Sequence, residues 1–305
     1  MSSIKIDVGP ATTGARTLSI QRMQEREIGL NFVEQFKDTW HDRASTFMLK
    51  GGTASETLTA GALSYRVIRH VSVPAGDYQR LRGILTTAMS CLDQCPSLCL
   101  RDYPVEILVD TARGSAGYVI QDKLLGQRKV SVFLGIDIWG TQPTNTGIIA
   151  NYLYRYLRCS EAEKIRLRTL TAVFHEFGHV FHQLLSPSHY FALAVLPILS
   201  GKGEKEMREP RNRPMWRLFD MCPSVAYLRD FHRGLQRYLS AHVSSYASDR
   251  PLETVAEIFS GLMMGIRFTP DVLTVYRAFG GHVPEDGMRY ETTDVATAEA
   301  LRQGR

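Results

Sequence analysis

His175 and His179 stand four residues apart inside a strongly apolar helical stretch, and no other feature constrains the chain as much. Side chains at i and i+4 project from one helix face, one above the other. Around them Ile165, Leu167, Leu170, Val173, Phe174, Phe177, Val180, Phe181 and Leu184 recur at helical intervals and cover several sides. Such a helix is buried, so both imidazoles must be satisfied inside the fold, either by carbonyls in the core or by a shared metal ion. Ser160 and Glu163 have capping-box spacing and Pro187 supplies a stop, so one helix is predicted from Ser160 to about Leu185. Gly178 costs a helix interior about 1 kcal/mol relative to alanine. Its presence predicts a close packing partner.

Glu176 completes His175-Glu176-Phe177-Gly178-His179, the spacing in which two histidines grip zinc and the glutamate lies beside the water that zinc activates. A catalytic zinc needs a third protein ligand and an open fourth position, whereas a structural zinc is closed by four. The metzincin pattern would put a histidine where this chain has Leu185, so that route is excluded. The other route is a carboxylate from a second helix. Pro251 suits a helix start, and Glu253 and Glu257 are i,i+4 neighbours among Val255, Ile258, Phe259, Leu262 and Met263. Two carboxylates on a mostly apolar helix need a metal, a proton or a cation unless they face solvent. The assignment that follows makes Glu253 the third ligand and Glu257 the acceptor that orients a histidine ring. Amide hydrolysis also needs a donor at the developing oxyanion. Tyr246, in the polar stretch Ser244 to Arg250, is a candidate, with plain packing as the alternative.

With Ser245-Tyr246-Ala247 and Leu252-Glu253-Thr254-Val255-Ala256-Glu257-Ile258-Phe259, the histidine motif resembles the catalytic domain of anthrax lethal factor and the Pro-Pro endopeptidases. These are zincins of the gluzincin type, and bacterial effector zinc proteases share the layout. The resemblance covers about a tenth of the chain, and the stretch between the histidines and Glu253 is longer than the family pattern leads one to expect. It implies His175, His179 and Glu253 as zinc ligands, Glu176 as general base, Tyr246 as oxyanion stabiliser or proton donor, and Glu257 behind a histidine. It implies an α+β, zincin-like fold, with a small twisted mixed sheet packed on the metal-binding helix and a mainly helical remainder. It also implies one Zn2+ per chain.

The 305 residues can bury a sizeable core, and 44% hydrophobic with 22% charged residues is ordinary for a soluble globular chain. A net charge of +5, from 36 basic and 31 acidic residues, is diffuse and argues against nucleic-acid binding. The densest basic stretch, Lys202 to Arg217, also holds Glu204, Glu206 and Glu209 and reads as a solvated loop. Five cysteines are an odd count; Cys91, Cys95 and Cys99 fit no zinc-finger spacing and read as small core residues. Free thiols suit a reducing compartment. The longest apolar run, Tyr190 to Leu199, is too short to span a bilayer and contains Pro197.

The domain reading is a flexible leader at 1–18, an N-terminal helical region at 19–100, a catalytic region at 101–288 with an insertion at 186–245, and a polar tail at 289–305. Within these, Asp77 is expected to cap a helix from Tyr78 to about Gln94, and strands are expected at Val105–Val109 and Lys129–Ile138. The second strand is either the sheet edge that receives substrate or its neighbour. A loop at Pro143–Gly147 and a helical lead-in from Ile148 to Leu157 precede the histidine helix.

Together these readings lead to a zinc metalloendopeptidase acting on a protein or peptide substrate. The leader lacks a signal-peptide pattern, and with the toxin-type motif it fits a bacterial effector secreted into a host cytoplasm, the leader being where a secretion chaperone would bind. An intracellular regulatory zinc peptidase and a non-catalytic zinc-stabilised binding module remain as alternatives. In the module, His182 would close the site as fourth ligand.

Overall fold

A β-hairpin opens the described part of the chain. Strand β1 (Thr53–Ala60) returns as β2 (Leu63–His70) through Gly61-Ala62, where Gly61 takes φ 62°, the left-handed conformation that a tight turn asks of glycine. Leu63, Tyr65 and Val67 of β2 alternate inward, while β1 buries only Leu58 and Ala60. The computed structural model describes residues 52–98, 100–110, 119–124, 127–135, 147–148, 160–186, 189–190, 193 and 233–284. The leader, residues 19–51 of the expected helical region, Cys99, most of the 186–245 insertion, most of the helical lead-in and the tail lie outside these residues.

Helix α1 (Ala75–Asp93) follows the hairpin, then two 3₁₀ turns (Pro96–Leu98 and Leu100–Asp102) and strand β3 (Val105–Asp110). Strands β4 (Val119–Leu124) and β5 (Gln127–Gly135) complete a five-stranded mixed sheet of order β1-β2-β3-β5-β4. Its centre is parallel, β2 with β3 and β3 with β5, and both flanking pairs are antiparallel. Helix α2 (Glu161–Leu185) packs on α1 and reaches β5 and β4. Helices α3 (Arg233–His242), α4 (Pro251–Met263) and α5 (Pro270–Ala278) follow. The fold is therefore a small mixed sheet with helices, in keeping with an α+β chain.

Several expectations need correction. The 19–100 region is not wholly helical, because β1 and β2 lie in it and share one sheet with β3 and β5. The sheet thus runs across the expected 100/101 boundary. Asp77 sits in the first turn of α1, which starts two residues earlier after Pro74, so it caps nothing. Of the two readings of the strand expected at Lys129–Ile138, the neighbour holds: it is β5, Gln127–Gly135, and β4 beside it is an edge of the sheet.

Other expectations hold. The Ser160 hydroxyl accepts the Glu163 N–H at 3.2 Å as the cap of α2, and Pro251 opens α4. On α2, Phe174, Phe177 and Phe181 are fully buried; each such ring contributes about 1.5–3 kcal/mol relative to exposure. Cys91 and Cys95 are buried thiols in the core, and burial pushes Cys91 up to about 11. Among the described residues no helix is long and apolar enough to cross a membrane.

Candidate metal centre

Two helices in unusually close contact carry the site. A Cβ at Gly178 of α2 would lie 2.9 Å from the Ala256 Cα and 3.2 Å from the Phe259 Cβ of α4, so only glycine lets the backbones meet at this separation. Further along the same pair of helices the Ser260 hydroxyl donates to the Thr171 carbonyl at 2.8 Å, a second tie between them. The cost of Gly178 to helix propensity is offset by this approach, which brings the carboxylates of α4 to the histidines of α2.

At that junction His175 Nε2 lies 3.1 Å and His179 Nε2 3.5 Å from Glu253 Oε2. Ligand atoms of the three residues all lie within 4.8 Å of one another, and this is the one such group of three among the described residues. Ligands held at about 2.0–2.1 Å in a tetrahedral array stand roughly 3.4 Å apart, so the spacing fits a single metal ion. Two imidazoles and a carboxylate form a nitrogen–oxygen donor set suited to a borderline metal such as zinc. His182 is not part of the group. It is buried with its ring edge-on to Tyr190 at 5.5 Å between centroids, and burial drives its pKa down to about 3.

Glu257 stands behind the first histidine. Its Oε1 accepts from His175 Nδ1 at 2.8 Å, while its Oε2 accepts the Ile148 N–H at 2.6 Å and the Ser244 hydroxyl at 2.7 Å. Holding the proton on Nδ1 leaves the lone pair on Nε2, the nitrogen that faces Glu253. Burial disfavours a charged His175, but the Glu253 and Glu257 carboxylates outweigh it and hold the ring well above its usual pKa. Burial likewise opposes the Glu253 charge, yet the two imidazoles hold that carboxyl well below the usual range. The surroundings thus favour positive charge between these side chains, which a metal ion supplies.

Glu176 and Tyr246 flank the group. Glu176 is buried and its Oε2 has no hydrogen-bond partner, and burial pushes its pKa up against the pull of the two imidazoles. The Tyr246 ring tilts toward His175 at 5.6 Å between centroids, and burial, followed by the charges of Glu253 and Glu176, raises its phenol. Its backbone begins the 3₁₀ turn Tyr246–Ser248. That turn is tied down twice: the Ala247 N–H donates to the Ser244 hydroxyl oxygen at 2.9 Å, and the Thr254 hydroxyl donates to the Ala247 carbonyl at 2.6 Å.

No protein-family model, curated protein or solved structure matches the chain. All six residues singled out from the sequence nevertheless meet at one place: His175, Glu176 and His179 on α2, Glu253 and Glu257 on α4, and Tyr246 on the turn before α4. Sequence reasoning missed Ser244, Thr254 and the Ile148 N–H. Ser244 looks no different from Ser245 in the sequence, and a backbone donor leaves no mark there at all.

Proposed function

We propose that this chain is a zinc-dependent metalloendopeptidase with a zincin-like catalytic region, hydrolysing peptide bonds of a protein substrate. The observation that carries this reading is the buried Glu176, its Oε2 unpartnered, beside two imidazoles and a carboxylate that converge on one point. A site serving stability alone gains nothing from a buried carboxylate with one oxygen left unpaired, which costs free energy. Three protein ligands among the described residues match the count of a catalytic rather than a four-ligand structural zinc.

Zinc, when bound, would supply Lewis acidity toward the scissile carbonyl and a water acidic enough to attack at neutral pH. His175, His179 and Glu253 would hold it, and Glu257 fixes the tautomer of His175. Glu176 then takes the proton of the attacking water on its carboxylate and returns it to the leaving amine. A raised pKa suits both halves of that task. The Tyr246 phenol, high in pKa and therefore protonated, donates a hydrogen bond to the oxyanion as it forms. The edge strand β4 has one neighbour in the sheet and lies against α2, a place where an extended substrate adds as a further strand. The toxin-type motif and the buried thiol of Cys91 support work as an effector in a reducing host cytosol.

Metal content and cleavage measured together test the reading. Glu176→Ala is expected to keep one zinc per chain and to lose about 10²–10⁴-fold in cleavage of a peptide library. Glu253→Ala should instead fail to retain zinc. Undiminished cleavage by Glu176→Ala overturns the proposal.

A further inference from the structure

Between α3 and the start of α4 the surface holds an open hollow of about 570 Å³ lined by Gln236, Arg237, Ser240, Ser248, Asp249 and Arg250. All six of these side chains are polar. Arg237 and Arg250 are both exposed, and neither guanidinium makes a hydrogen bond or ion pair. Among the described residues Arg82 pairs with Glu56, Arg101 with Asp93, and Arg66 with Glu106, whereas Arg267 and Arg277 are exposed without an ion pair, so it is the presence of two such arginines in one hollow that sets this place apart. The hollow also belongs to the backbone that carries the metal centre. Ser248 ends the 3₁₀ turn that Tyr246 begins, and Arg250 caps α4 three residues before Glu253.

We propose that this hollow is a recognition subsite for an acidic side chain of the polypeptide substrate, gripped by Arg237 and Arg250. Two guanidinium forks in one hollow match the two oxygens of a carboxylate. Asp249 sits in the same lining and repels that occupant, so the subsite carries a net charge of only +1 and discriminates by geometry as well as by charge. Neither arginine side chain supports the fold. The link that Arg250 makes is through its backbone carbonyl, which accepts the Thr254 N–H at 3.0 Å and is also reached by the Thr254 hydroxyl. The inference rests on the peptidase reading for its role, although its test does not need cleavage.

Equilibrium binding of a fluorescent hexapeptide rich in glutamate is measured on the full chain carrying Glu176→Gln, against the same peptide with glutamine at each glutamate. Arg237→Gln with Arg250→Gln is expected to weaken the glutamate peptide roughly tenfold or more, a figure that allows for solvent screening of exposed charges. The glutamine peptide should bind no better than to that double variant. Asp249→Asn should tighten the glutamate peptide several-fold, a gain that misfolding cannot imitate. Equal binding of the two peptides, equal binding with and without the arginines, or no measurable binding of the glutamate peptide each overturns the subsite. Failure of the peptidase reading would show separately, as absent cleavage by the unsubstituted chain.

Discussion

Buried charge is distributed very differently between the sheet half and the two-helix half. Within residues 52–135 the one charged side chain buried among the described residues is Asp93. Its Oδ1 accepts from Arg101 Nε at 2.5 Å and its Oδ2 accepts the Ala62 N–H at 3.0 Å, which ties the hairpin turn to the end of α1. Within residues 160–284 the buried set includes His175, Glu176, His182 and Glu257, with Glu253 close behind them. Asp93 is satisfied by groups with no other task, whereas Glu176 has an oxygen without a partner and Glu253 shares one oxygen between two histidines. A buried charge with dedicated partners is architecture. A buried charge whose partners converge on a single point, or are absent, marks a place where something else binds.

Tyr246→Phe puts the largest strain on that distinction. The phenylalanine keeps the ring contact with His175 and removes only the hydroxyl. If the phenol serves the reaction, kcat falls about 10²–10³-fold with KM and melting temperature nearly unchanged. Steady-state kinetics beside a thermal melt decide it. Unchanged kcat with a lowered melting temperature would move Tyr246 to the architectural side.

Glu257 is the residue that belongs to both sides. It accepts from Ile148, Ser244 and His175, so it braces the packing of α4 and also sets the tautomer of His175. Glutamine offers one carbonyl oxygen where three donors converge, and its amide N–H groups would face donors. Glu257→Gln is expected to weaken zinc affinity by about 10–100-fold. Competition with a metal-sensing dye measures the loss. An unchanged zinc affinity would leave Glu257 as a bracing group alone.

The two halves were also unequally legible. Helices α2 and α4 stood out because the sequence marks both their ends and their contents: Ser160 and Pro251 at the starts, histidines and glutamates at i,i+4 among apolar residues. Even the close approach at Gly178 was foreshadowed by a glycine in a helix that has no propensity for one. The hairpin was not foreseen, since β1 reads Thr-Ala-Ser-Glu-Thr-Leu-Thr-Ala and buries only its last apolar pair, Leu58 and Ala60. Its one clear signal was the alternation of Leu63, Tyr65 and Val67 after Gly61, a pattern short enough to pass for helix. The sheet order was beyond reach for a different reason. The parallel pairings join residues well separated in the chain, Tyr65 with Val105 and Val105 with Val130, and no local turn signal specifies them.

Asp93→Asn should give the smallest effect and the cleanest contrast with the metal centre. Asparagine still accepts the Ala62 N–H, so the substitution removes chiefly the charge opposite Arg101, whose side chain is more than half exposed. Arg101 is the main cause that holds the Asp93 carboxyl below its usual pKa, the Ala62 N–H adds to it, and burial opposes both. A carboxylate whose pKa is depressed by folding contributes stability that is fully present above its unfolded value, about 3.9, and is lost as pH falls through the folded value. At pH 7 the variant should therefore melt a few degrees below the parent, the modest size reflecting a partner screened by solvent. As pH falls from about 4 through the lower folded value that gap should close, because the parent's own carboxyl then becomes neutral. Peptide cleavage per folded molecule should be unchanged at pH 7. A variant that melts with the parent at both pH values would show that the Asp93–Arg101 pair contributes nothing, and one that loses cleavage at full stability would place a functional charge in the sheet half, where the present contrast allows none.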